Sequence, residues 1–463
     1  MTTENTHDAI VIGAGSGGLT VAVGLSTFGK SVALIEANLV GGDCTNVGCI
    51  PSKLLLHHST TGALAGDVLS TVRQRRDDLR KHEEDEYGTT DNIDLRYGHA
   101  RLVGDGTVDV TATDGAVTSL RADHVIISTG SSPRRLAVDG LPGDRYLTND
   151  ELFELTEAPA KMVIVGAGPI GMEMAVAFRR LGTEIVVLDA APQILPLMLP
   201  DAAAVVARTT TAMGIKLMPG LVAHGFDVDT ISLAVGPLGG PPTDAINDVD
   251  VVLVAVGRVP NSEGLGLEDL GIETDRGRIV IDGKGRTNVD GVWAVGDVST
   301  EGATTHAANA WGRRVIKHIV APLAPAGARP DHPAVTYTSP EAATIGDQPV
   351  EVPGDVRRIS YDFSKADRAY TDGVEDGVII VDIRRFSGKV IGATVVGPRA
   401  GELISIFSLG MKAGVRFHKW YGTVWPYPSY ADALGAVVDE YMVAAMKSVP
   451  SDALRWARGQ LRR

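Results

Sequence analysis

Residues 8–37 read DAIVIGAGSGGLTVAVGLSTFGKSVALIEA. An apolar run enters a loop carrying Gly13, Gly15 and Gly18 in G-x-G-x-x-G register, a helix-compatible stretch follows, and a second apolar run ends on Glu36. Each residue type has a physical reason. Glycines permit a tight turn, the approach of a pyrophosphate and close helix packing, while the start of a helix favours negative charge. Glu36 is placed to bind ribose hydroxyls. A glycine triplet alone is weak evidence, but strand, loop, helix, strand and terminal acid in this order predict a dinucleotide-binding fold.

The pattern returns at 161–190, KMVIVGAGPIGMEMAVAFRRLGTEIVVLDA, with Gly166, Gly168 and Gly171 and a strand ending on Asp189. The spacing from first glycine to terminal acid matches the first copy. Pro169 falls in the first helical turn, where its missing amide costs least. Two cradles imply two dinucleotides, or one bound and one relic. Asp189 is followed by Ala190 and Ala191 with no arginine beside them, so a 2′-phosphate would meet a carboxylate and no cation. This favours NADH over NADPH. A third element, TNVDGVWAVGDVST, ends a short apolar strand on Gly296 and Asp297. By itself it reads as an ordinary turn; its place after the second cradle gives it weight.

The only two cysteines of the 463 residues, Cys44 and Cys49, lie in GGDCTNVGCIPSK at 41–53. At roughly 150 residues per domain, the chain has room for about three domains. The formal net charge of −14 argues against affinity for nucleic acid or anionic membrane and favours small-molecule partners. No run of about 18 apolar residues suits a membrane span. The first strand opens at Asp8, which leaves little room for a leader and points to the cytoplasm. Thiols are normally kept reduced there, so a close pair is more often redox-active than structural. Two incidental buried cysteines are the competing reading, and a poor one for a pair fenced by glycines.

In this order, these pieces resemble the pyridine nucleotide-disulfide oxidoreductases, flavoenzymes that include dihydrolipoamide dehydrogenase, glutathione reductase and mercuric reductase. Further support lies in VIISTGSSP (125–133), VAVGRVPN (254–261), WAVGD (293–297), YTSPEAATIG (337–346) and VIGATVVGPRAGELI (390–404). The resemblance implies an α/β chain with two Rossmann-like domains, for FAD and NAD(P), and a C-terminal α+β dimerisation domain. It places the FAD domain at 1–149, the NAD(P) domain at 150–270, a returning central segment at 271–332 and the dimerisation domain at 333–463. A homodimer follows. Pro, Ala and Gly in APLAPAGARPDHPA (321–334) suit the linker into the last domain.

The resemblance also assigns residues. Ala100, Thr129 and Gly130 lie near FAD, Asp297 holds its ribityl chain, and Gly257 lies near the nicotinamide nucleotide. His306 belongs to a helix whose start faces the flavin pyrimidine edge. Cys49 is the thiolate at the flavin and Cys44 the outer interchange thiol. Lys53 matches a lysine that pairs with a glutamate, here Glu173, near flavin N5. No resident metal is implied.

One departure is plain. Family disulfide reductases use a C-terminal histidine before proline, with a glutamate downstream, contributed across the dimer as acid-base partner of the interchange thiol. Here VWPYPSYADAL puts Tyr427 in the histidine position before Pro428 and Asp432 in the glutamate position. A phenol with pKa near ~10, against ~6.5 for imidazole, donates a hydrogen bond well and accepts a proton poorly. Dithiol exchange is therefore expected to be slow. Tyrosine here, with the GGDC spelling, resembles mercuric reductase more closely, but the absence of any further cysteine argues against efficient Hg(II) handling. The expected reaction passes electrons from NAD(P)H through FAD to the Cys44–Cys49 disulfide and on to a quinone, metal ion or small disulfide. A true dihydrolipoamide dehydrogenase, and a flavin-bearing redox sensor with little turnover, are the alternatives.

Overall fold

The structure is a computed structural model that describes residues 5–302, 304–329 and 331–460, with side chains described to residue 448. The chain divides into two compact units: Met1–Leu136 with Leu147–Ala158 and Val256–Pro330, and Ala137–Tyr146 with Pro159–Ala255 and Asp331–Arg463. The 159–255 stretch thus lies inside the 150–270 segment drawn from the sequence.

In the first unit, strand Thr6–Ile12 pairs in parallel with Val32–Glu36 on one side and with Val117–Ile127 on the other. Ile93–Tyr97 extends one edge, and Val292–Ala294 pairs with the C-terminal half of the 117–127 strand. The N-terminal half of that strand is taken by an antiparallel meander, His99–Gly104 and Thr107–Thr111. Strand Val32–Glu36 is buried at every position, as a parallel strand covered on both faces requires. Helix Ser16–Thr27 packs against helix Thr305–Val320, and the core includes Leu25, Leu34, Ile126 and Trp311. The charged stretch after the cysteine motif is a helix over Ala65–Thr89. Val68, Leu69, Val72 and Arg76 form its buried face. Arg76 is tolerated inside because Asp77 accepts from it at 2.9 Å and Glu154 at 2.5 Å.

In the second unit, Lys216–Pro219, Glu184–Asp189, Lys161–Val165 and Val251–Val254 form a parallel sheet, with helix Pro169–Arg180 following the 161–165 strand. The chain's last third builds a five-stranded antiparallel sheet in the spatial order Ala334–Thr336, Glu341–Gly346, Val390–Gly397, Val378–Arg384, Val356–Asp362. Helices Ala400–Lys412 and Asp432–Gln460 pack into its core through Phe407 and Tyr441, joined there by Phe417 and Trp420 of the short turn Phe417–Trp420. The fold class is therefore α/β with two nucleotide-type cradles and a C-terminal α+β sheet domain. Among the described residues, no helix is long and apolar enough to cross a membrane.

Candidate active site

The two cradles repeat one construction. At Gly18 an added Cβ would lie 1.9 Å from Gly13 O, and at Gly171 it would lie 1.9 Å from Gly166 O, so neither loop closes around a larger residue. Gly15 and Gly168 are different. A Cβ at Gly15 would meet only Gly42 Cα at 3.8 Å, and one at Gly168 would meet nothing within 4 Å. These middle glycines leave open the space above the helix start, where a diphosphate approaches. The terminal acids are fixed alike: Glu36 Oε2 accepts from Ala14 N–H at 2.7 Å, and Asp189 Oδ2 accepts from Ala167 N–H at 2.7 Å. Their second oxygens take Asn38 N–H and Ala191 N–H, both at 2.8 Å. Both carboxylates are held at the C-terminal ends of parallel strands, where such sheets bind nucleotides.

The cysteines sit on two short helices that break between them. Cys44 lies in Gly42–Asn46 and Cys49 opens Cys49–His58. Gly48 makes the break possible: a Cβ there would come within 2.8 Å of Asp43 O. Cys49 Sγ lies 3.2 Å from Thr305 Oγ1, and the N-terminus of its helix favours negative charge on the sulfur. Neither cysteine is in a disulfide, and both are partly exposed. The contact with Cys49, and then burial, push the Cys44 thiol up, while the hydroxyls of Thr305 and Ser16 pull it back. Lys53, one turn on, donates to Ser52 Oγ at 3.3 Å.

The predicted flavin contacts cluster in the same unit. Thr129 Oγ1 donates to Asn261 O at 2.6 Å, and Asn261 Nδ2 returns a bond to Thr129 O at 2.9 Å. Gly130 follows at φ +70° with open space around it. Asp297 Oδ2 accepts from Ser131 Oγ at 2.8 Å. Gly257, at φ +106°, accepts Arg134 N–H at 2.9 Å just before strand Arg258–Pro260. Thr304 caps helix Thr305–Val320 through Ala307 N–H and also lies 3.0 Å from His306 Nε2, which leaves His306 at the exposed first turn. Ala100 packs part-buried against the core from the meander. Open glycines, a fixed acid and these polar ends suit an extended dinucleotide such as FAD.

In the second unit, Glu173 is 4% exposed and accepts Tyr337 N–H at 3.0 Å. Tyr427, 69% exposed, donates its hydroxyl to Asp367 Oδ2 at 2.9 Å, and that carboxylate pushes the phenol further up. Asp432 opens the last helix. Neighbouring Tyr430 donates in the same way to Asp372. His418, nine residues before Tyr427, packs over Gly388, where an added Cβ would come within 2.9 Å of Nδ1. Sequence reasoning passed over Thr305, Ser131, Asn261 and Asp367. Ser131 and Asn261 lie inside quoted motifs and Thr305 directly precedes His306; Asp367 lies 60 residues from Tyr427 and had no local signal.

The family described as "Pyridine nucleotide-disulphide oxidoreductase" matches residues 7–312, and its dimerisation domain matches 332–438. Dihydrolipoyl dehydrogenase 3 of Pseudomonas aeruginosa is 32% identical over 452 residues, covering 92% of this chain and 96% of that one. Leghemoglobin reductase of Glycine max is 32% identical over 425 residues, covering 86% of this chain and 80% of its own length. Among solved structures, the Cu(II) complex of the HOCl-induced flavoprotein disulfide reductase RclA from Escherichia coli superposes with a TM-score of 0.85 at 25% identity, covering 94% of this chain and 99% of that one.

Proposed function

This chain belongs to the pyridine nucleotide-disulphide oxidoreductase family and is a flavin-dependent oxidoreductase, and from that premise we propose that it is an NADH-driven reductase whose final acceptor is a quinone or metal ion ahead of a small disulfide. Bound FAD supplies the two-electron relay between the nicotinamide and the cysteine pair. In this reading, the first cradle with Glu36, Ala100, Thr129, Gly130, Asp297 and His306 holds FAD, and the 159–255 stretch with Gly166, Gly168, Gly171 and Asp189 holds NADH. Gly257 completes the nucleotide approach. Cys49 is the thiol at the flavin and Cys44 the outer one. Lys53 and Glu173 form the ion pair beside the reacting ring. The C-terminal domain pairs two copies, and the site of action is the cytoplasm.

One observation carries the choice of acceptor. Tyr427, where disulfide reductases place a histidine, spends its proton on Asp367 and is pushed away from neutral pH by that carboxylate. A phenol so held does not take a thiol proton at pH 7. Quinones and metal ions accept electrons from the dithiol without a dithiol having to be deprotonated by that residue. The copper complex of the similar Escherichia coli reductase agrees with a metal ion in this role. Similarity to dihydrolipoyl dehydrogenase 3 across 92% of the chain favours a second reading, oxidation of dihydrolipoamide.

Anaerobic stopped-flow mixing of the FAD-loaded protein with excess dihydrolipoamide, and separately with NADH, decides between them. Prompt flavin reduction by NADH with little by dihydrolipoamide supports the proposal. Rapid growth of the long-wavelength thiolate-to-flavin band with dihydrolipoamide establishes the second reading.

A further inference from the structure

Arg258 draws together residues from four segments of the first unit. Its strand, Arg258–Pro260, pairs antiparallel with Ser131–Pro133. Nε donates to Ser131 Oγ at 2.7 Å and lies 3.9 Å from Asp297 Oδ2, and Nη2 donates to Ser131 O and to the Asp43 carboxylate. Ser131 Oγ in turn donates to Asp297 Oδ2 at 2.8 Å. One guanidinium therefore faces two carboxylates, one adjoining Cys44 in the chain and the other ending the WAVGD motif. Arg278, the other cation nearby, reaches the backbone carbonyls of Asp297, Ser299 and Gly302 and not a carboxylate.

We infer that Arg258 is a positioning residue that holds Asp43 and Asp297 in one partly neutralised group, so that the reactivity of the outer thiol Cys44 and the retention of FAD both depend on it. The inference rests on the reading of Asp297 as a flavin contact. The side chain of Arg258 is 21% exposed, that of Asp297 27% and that of Asp43 49%, so the pair nearest the flavin is the less screened. Burial alone disfavours the guanidinium charge, and Asp297 counters it. A planar fork with several donors satisfies both acids and Ser131 at once, which a lysine ammonium cannot reproduce. Without it, the carboxylate of Asp43, the residue before Cys44 on helix Gly42–Asn46, loses that cation, and uncompensated negative charge on this short helix opposes formation of a thiolate there. Asp297 at the same time loses the group that, with Ser131, fixes its orientation.

The test uses the reduced, FAD-loaded protein at pH 7. Iodoacetamide modification of Cys44 is followed by peptide mass, and FAD release is followed by flavin fluorescence in an ultrafiltrate. In Arg258→Met, Cys44 modification should slow about three- to tenfold, the effect of losing a compensating charge near a partly exposed thiol, and FAD release should increase. Asp43→Asn added to Arg258→Met should return the Cys44 rate to that of the wild type while FAD release stays high. Arg258→Lys should keep most of the thiol rate and only part of the FAD retention. Asp43→Asn alone removes one of the two carboxylates that face the guanidinium and should speed modification; it decides the matter if Arg258→Met does not fold. An unchanged Cys44 rate in Asp43→Asn and in the folded Arg258 variants overturns the inference, and so does failure of the double variant to recover. Modification of Cys44 needs no electron acceptor, so an error over the acceptor leaves this result readable.

Discussion

Tyr427 and Asp367 meet through one hydrogen bond of 2.9 Å, from an exposed phenol to the first residue of the short helix Asp367–Thr371. The bond consumes the only proton the phenol has to give and raises the pH needed to remove it. A histidine at 427 would present a base near neutral pH to whatever faces this loop. Tyr427→His should therefore speed flavin reduction by dihydrolipoamide about a hundredfold at pH 7.5, the low end of what a positioned general base contributes. Its reduction by NADH should be unchanged. An unaltered dihydrolipoamide rate in a folded variant removes Tyr427 as the reason for slow dithiol exchange.

The middle glycines of the two cradles separate the two nucleotides by experiment. Alanine fits the protein itself at Gly15 and at Gly168, since the nearest atom to an added Cβ is 3.8 Å away or absent within 4 Å. What alanine blocks is the approach of a diphosphate. Gly15→Ala should yield folded protein that loses FAD on gel filtration. Gly168→Ala should keep its yellow colour and show a KM for NADH raised about tenfold or more, by loss of close diphosphate contacts worth over ~1.4 kcal/mol. Unchanged FAD content in the first variant, or loss of flavin in the second, would reverse the assignment of the cradles.

What could be read from the sequence was what is local. Each cradle is one strand, one loop, one helix and one strand, and its Glu36 or Asp189 follows at a set distance, so the glycine spacing together with these flanking elements located both. The cysteine pair was legible for the same reason. The partners of these groups were not, because they arrive from elsewhere in the chain. Thr305 reaches Cys49 across 256 residues and Arg258 reaches Asp43 across 215. Asp43 was visible as a letter of the cysteine motif, but nothing nearby in the chain supplies its cation. The same holds for the edge of the 150–270 segment: Val256 returns to the first unit because Arg258–Pro260 pairs with Ser131–Pro133, a register no periodicity displays.

Behind the cysteine helix, Glu83 makes the stability of this region depend on pH. Its Oε1 accepts from Thr45 Oγ1 at 3.3 Å, while Oε2 is buried without a hydrogen-bond partner among the described residues. Burial pushes this carboxyl above its ordinary 4.5. The folded chain therefore holds the proton to higher pH than the unfolded chain does, and the contribution to stability is full below 4.5 and is lost as pH rises through the folded value. Glu83→Gln removes that loss. Its melting temperature should exceed that of the wild type by about 2 °C at pH 7, with the two curves converging toward pH 4. A constant gap at all pH values would mean that ionisation of Glu83 is not the cause.

Asp189 tests the choice of nicotinamide nucleotide. Both its oxygens are committed to backbone N–H groups, of Ala167 at 2.7 Å and Ala191 at 2.8 Å, so the carboxylate cannot swing away from an incoming 2′-phosphate. Like charges held together at a binding site cost several kcal/mol, ample for strong discrimination. Asp189→Ser removes the charge and keeps an oxygen able to meet one of the N–H groups. The ratio of flavin reduction rates with subsaturating NADH and NADPH should fall about tenfold or more in the variant, chiefly because the NADPH rate rises. If the ratio does not move, the carboxylate is not what distinguishes the two nucleotides. If the wild type already prefers NADPH, the reading of the second cradle as an NADH site is wrong at its source.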